Sequence, residues 1–159
     1  MLRVDAAATT HPVRAIALAG LLAGALDLVA AFIVYAPLGA SPIRILQSIA
    51  AGLLGRDAFQ GGVGAAVLGL VLQFVIATGA AAGYFFASAR LPALNRRPVL
   101  SGAVYGVIVY LVMNFVVVPL SAAPRGPFNW SLAPVIVFVH IVCVGIPIAR
   151  VIGGHRLAP

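Results

Sequence analysis

A chain of 159 residues that is 63% hydrophobic and 8% charged falls far short of the roughly 25% charged residues of a soluble domain, so lipid must be its solvent. The net charge of +7 comes from ten basic residues, all arginine, against three acids. They flank apolar stretches and form no dense basic face, which argues against nucleic acid and for lipid headgroups as the partner.

The mean hydropathy is +1.14, and four apolar stretches reach the ~20 residues needed to cross a bilayer as a helix. They cover 15–35, 62–86, 100–120 and 132–152. A lone strand would leave its backbone groups unpaired in lipid, so these read as helices. The expected fold is all-α: one polytopic transmembrane domain over 1–159 with four spans.

The first stretch is too long for the core of a cleaved leader and contains Asp27, so it reads as a retained helix. Gly20, Gly24, Asp27 and Ala31 share one helical face. The glycine pair lets another backbone come close. Ser41-Pro42 then has the form of an N-cap followed by proline at the first helical position. From 42 to 54, Ile43, Ile45, Leu46, Ile49, Leu53 and Leu54 alternate with Arg44, Gln47 and Ser48. This segment is too short to span and fits an interfacial helix, or one re-entering the bundle mouth as a cover or lid.

The second span carries a small-residue stripe of Ala66, Gly69, Gln73, Ala77 and Ala80. The third starts with Gly102 and Gly106 and places Tyr110 one turn from Asn114. In the fourth, His140, Cys143 and Pro147 share a face. Pro147 has no N–H, so the Cys143 carbonyl should lose its helical partner and be open to the imidazole, Asn114 or water. Cys143 is the single cysteine, so no intrachain disulfide is possible.

Four spans put both termini and the loop 87–99 on one side, with Arg3, Arg14, Arg90, Arg96, Arg97, Arg150 and Arg156; Arg44, Arg56 and Arg125 lie on the other. This excess makes both termini cytoplasmic and puts Trp130 at the outer interface. At ~1.5 Å per residue, Asp27 and His140 lie ~3 Å outward of the midplane, Gln73 ~1.5 Å and Asn114 ~6 Å. Each span thus adds one polar side chain to a thin slab. Asp27 and His140 are its titratable carboxylate and imidazole, and if they meet they can hold or sense a proton. Gln73 and Asn114 would orient them; alternatively all four only glue helices together.

A shift of 82 positions lays Arg14 on Arg96, Gly20 on Gly102, Gly24 on Gly106, Pro37 on Pro119 and Pro42 on Pro124. Two parallel hairpins related by an axis along the membrane normal would explain the match. His140 and Cys143 at i, i+3, with Asp27, are the one set that suggests a metal or haem ligand. No nucleophile elbow, phosphate loop or dinucleotide fingerprint occurs, so the expectation is no enzyme and no cofactor. A four-helix chain rarely encloses a solute path alone, so a homo-oligomer or a membrane partner is expected, with the ligand, proton or small molecule, open.

The run Gly20-Leu-Leu-Ala-Gly24-Ala-Leu-Asp27, the stretch 40–55, the run Arg97-Pro-Val-Leu-Ser-Gly102-Ala-Val-Tyr-Gly106 and the segment Asn114 to Pro119 resemble a group of small uncharacterised bacterial inner-membrane proteins. The likeness covers most of the chain and implies a four-helix protein of the bacterial inner membrane, with no known activity attached. A looser similarity to YagU-type membrane proteins, associated with acid tolerance, rests on glycine-rich helices and an intramembrane histidine.

Overall fold

A computed structural model of the protein describes residues 11–124, 126 and 129–157. Arg3 and Arg125 therefore lie outside the described residues, as does the side chain of Arg156. The described chain is mostly helical, with no strand among the described residues: α1 (His11–Tyr35), α2 (Pro42–Leu54), α3 (Gly62–Arg90), α4 (Ala93–Arg96), α5 (Pro98–Val112), α6 (Val118–Leu120), α7 (Ala133–Val139) and α8 (Ile146–Leu157). Two π-helical segments, Met113–Val117 and His140–Gly145, join α5 to α6 and α7 to α8. Four continuous rods result, Pro12–Leu38, Gly62–Arg90, Pro98–Leu120 and Ala133–His155, each long and apolar enough to cross a membrane. Bulky residues such as Ile33, Val75, Leu100 and Phe138 are exposed on their outer faces. In water that surface would aggregate; in a bilayer it is the lipid contact. This is an all-α, four-helix integral membrane protein.

Small residues decide which spans touch. A Cβ on Gly20 would lie 2.6 Å from the Thr78 Cα, and one on Gly24 would lie 2.9 Å from the Phe74 ring and 3.1 Å from Ala77. These two glycines seat α1 on α3. On its other side α1 packs against the fourth span, where Ala19, Ala23, Ala81, Tyr84, Val144, Ile148, Ala149 and Ile152 form the core. The third span packs on the fourth backbone to backbone. A Cβ on Gly102 would lie 2.7 Å from the Ile146 Cα, and one on Gly106 2.6 Å from both the His140 carbonyl oxygen and the Ile141 Cα. Gly145 faces Gly102 and Gly106 with no room for a side chain. The consecutive spans α3 and α5, by contrast, barely meet. A Tyr84–Tyr105 edge-to-face pair at 5.0 Å and a bond from the Tyr105 hydroxyl to the Ala80 carbonyl, 2.6 Å, bridge them.

α2 is set into the mouth of the bundle. The Ser41 Oγ accepts the Arg44 N–H at 3.2 Å, and Pro42 occupies the first turn. Ile45, Gln47, Ala50 and Ala51 are buried. The Leu46 carbonyl lies against Gly69, where no side chain fits. The Gln47 Nε2 donates to the Gly62 carbonyl at 3.0 Å, and the Ala122 N–H donates to the Gly52 carbonyl at 2.9 Å. These bonds tie α2 to α3 and to the segment that follows the third span.

The structure moves several limits. α3 continues to Arg90, past residue 86, and α4 forms inside the segment 87–99 expected as loop. Ala-Ser-Ala-Arg carries enough helix propensity to extend the helix past the apolar run. The two π segments have a common cause. Each precedes a proline by one residue: Val118 before Pro119 and Ile146 before Pro147. The Val118 N–H bonds the Met113 carbonyl and the Ile146 N–H bonds the Ile141 carbonyl, both five residues back. A proline ring presses on the carbonyl four residues before it, and a widened turn relieves that clash.

Candidate functional site

Asp27 lies eight residues before the end of α1 at Tyr35, and Gln73 lies eleven residues into α3. At ~1.5 Å per residue these depths, ~12 and ~16 Å, bring the two side chains to a similar level from opposite chain directions. They meet: the Gln73 Nε2 donates to the Asp27 Oδ2 at 2.8 Å and lies 3.4 Å from the Gly24 carbonyl. The contact follows from the seam, because Gly24 and Asp27 are on the face of α1 that Ala77 and Gln73 cover on α3. Half-buried Asp27 has no arginine partner among the described residues. Arg44, on the neighbouring α2, sits 4.1 Å over the Phe59 ring and reaches the Phe59 carbonyl at 3.5 Å.

The acid opens into a partly enclosed cavity of about 180 Å³. Asp27, Gln73, His140 and Tyr35 contribute its polar groups, and Ile45, Ser48 and Ile49 of α2 form one wall. A second cavity of about 360 Å³ lies toward the connection between the third and fourth spans, lined by Tyr110, Asn114, Pro124 and Asn129. Tyr35 and Ile136 line both and form the partition between them.

The four polar residues thus divide. Asp27 and Gln73 are bonded to each other, His140 lines the same cavity, and Asn114 lines the second one. The direct partner of Asp27 is the amide of Gln73, where His140 was the expected one. The His140 Nδ1 is 2.9 Å from the Ile136 carbonyl, and the Asn114 Nδ2 donates to the Tyr110 carbonyl at 2.9 Å. Both therefore bond four residues back in their own helix, and the imidazole does so in preference to the Cys143 carbonyl beyond it. Helical side chains lean toward the N-terminus, so the carbonyl one turn back is in reach and the one a turn ahead is not. The Tyr110 and His140 rings pack edge to face at 5.7 Å, joining the third and fourth spans beside the seam.

Gly20 and Gly24 lie at the α1–α3 seam and Gly102 and Gly106 at the contact with the fourth span. Cys143 is free and half-buried. Among the described residues, no group of three or more His, Cys, Asp or Glu side chains is placed to hold a metal ion. Sequence reasoning missed Tyr35 and the α2 wall residues Ile45 and Ser48. The signal for Tyr35 was a phenol two turns along the helix from the acid; for Ser48 it was a hydroxyl on the polar side of an amphipathic helix. Compared with protein-family models, curated proteins and solved structures, the chain matches none of them.

Proposed function

We propose that this protein binds and releases a proton, or a small cation in its place, at Asp27, in the service of proton-linked solute transport or sensing. One observation carries the reading: a carboxylate at membrane depth, bonded by a neutral amide and matched by no arginine among the described residues, opens into a cavity. An unpaired carboxylate in hydrocarbon costs several kcal/mol, so its countercharge must arrive as a proton or cation. Gln73 orients the acid, His140 is a second titratable group on the same cavity, and α2 covers the site. The arginine asymmetry supports a topology with both termini cytoplasmic, in the inner membrane of a bacterium if the resemblance holds. A homo-oligomer would add walls to cavities that one chain leaves partly open.

A hydrophobic carbodiimide tests the site, because it attacks protonated carboxyl groups within membranes. Asp27 should be labelled at acid pH, with labelling falling as pH rises and absent in Asp27→Asn. Absence of label at Asp27 across the acid range would defeat the reading.

A second reading is favoured for two residues. His140 and Asn114, within the two π segments, bond carbonyls of their own helices, which supports a structural role in stabilising widened turns. On that reading the chain is an accessory membrane protein that docks a partner, and Asp27→Asn leaves its cellular function unchanged.

A further inference from the structure

At the end of the bundle that carries the termini, the divergence of α3 from α5 leaves a groove of about 470 Å³. That is within the ~300–1,000 Å³ of small-molecule sites. Leu91, Leu100, Val104 and Ile108 line it, and Arg97 stands at its rim. Its walls offer a polar ligand little. The Tyr84 hydroxyl is 2.9 Å from the Ser101 Oγ, which donates to the Leu94 carbonyl at 2.7 Å, and the Tyr105 hydroxyl is used on the Ala80 carbonyl. The interior therefore suits an acyl chain.

The rim is different. Arg90, Arg96 and Arg97 cluster within one short connection and are exposed. The described carboxylates, Asp27 and Asp57, lie at membrane depth and beside α2 at the opposite end. No described acid can neutralise these guanidinium groups, whereas a phosphate at headgroup level can do so bidentately. The length also fits. From Arg97 to Ile108 a helix rises ~16 Å, close to half of a ~30 Å hydrocarbon core, which is the depth of one leaflet.

We propose that this groove is a binding site for an anionic phospholipid of the leaflet on the terminal side. Its phosphate sits on Arg97 with Arg96 or Arg90 beside it, and one acyl chain lies along Leu100, Val104 and Ile108 between α3 and α5.

Native mass spectrometry of the detergent-purified chain tests this with added phosphatidylglycerol or phosphatidylcholine. The wild type should retain one phosphatidylglycerol in preference to phosphatidylcholine. Arg97→Gln, at an exposed position, should weaken retention about fivefold. Val104→Trp, which fills the groove from its exposed side, should abolish it, and Arg56→Gln at the other end should leave it unchanged. Equal retention of the two lipids, or full retention in both Arg97→Gln and Val104→Trp, would overturn the proposal. Displacement of the lipid by inorganic phosphate alone would overturn the acyl-chain half of the site.

Discussion

The two halves of the bundle use the same glycine spacing for different ends. In the first, Gly20 and Gly24 of α1 receive Thr78, Phe74 and Ala77 of α3; in the second, Gly102 and Gly106 of α5 receive the fourth span from His140 to Ile146. The second glycine pair lies 82 residues after the first, and each pair faces the span that follows it. Yet the first half is built of uninterrupted α-helices and joins them with a side-chain bond from Gln73 to Asp27. The second is interrupted by two π segments, and the polar side chains inside them, Asn114 and His140, turn back on their own helices. The acid site falls in the half without π segments.

Substitutions can break this comparison in graded steps, read as unfolding of the purified protein in mild detergent by circular dichroism. The largest effect belongs to Gly145→Ala, whose methyl group would meet the backbone of both Gly102 and Gly106; we expect a loss of about 3 kcal/mol or more, since neither neighbour can yield. Gly20→Ala comes next, at about 2 kcal/mol, because it meets the Thr78 backbone at 2.6 Å. Gly24→Ala should cost less, since the Phe74 ring can rotate away. If Gly24→Ala proves worse than Gly145→Ala, the second seam is not the tighter one.

Smaller effects sharpen the contrast between the polar groups. Asn114→Leu and His140→Leu should each cost about 1 kcal/mol through the lost bond to a helical carbonyl. The Asn114 loss should be additive with Asp27→Asn, whose site is bonded separately. A coupling above about 1 kcal/mol between Asp27→Asn and His140→Leu would mean that the two groups act as a pair after all. The smallest change is Gly79→Ala. Its added methyl meets open space, so the mid-helix glycine penalty of up to about 1 kcal/mol is removed and stability rises.

The sequence makes the four spans legible because apolar runs of membrane length have one backbone solution in lipid. The Ser41 cap is local chemistry and equally readable. The partner of Asp27 was not, because it depends on how α1 and α3 are rotated about their axes, which glycine seams fix and charge complementarity does not. Charge complementarity points to His140, whereas the seam presents Gln73. The wide turns at Met113–Val117 and His140–Gly145 were also missed: Pro119 and Pro147 announce a disturbance, but the form it takes depends on the neighbouring span. Asn95 shows the same limit. It is buried against the chain end near Gly153, its amide donating to the Ser88 carbonyl at 3.3 Å, although its position in an arginine-rich connection suggested only a surface loop.

The central claim is that Asp27 takes up a proton inside the bundle. Infrared difference spectroscopy on the protein in liposomes tests it most directly, with the pH of the medium stepped downward. The account predicts a protonated-carboxyl band that grows as pH falls, disappears in Asp27→Asn and shifts in frequency in Gln73→Leu. A spectrum that is the same in wild type and Asp27→Asn at every pH would contradict it.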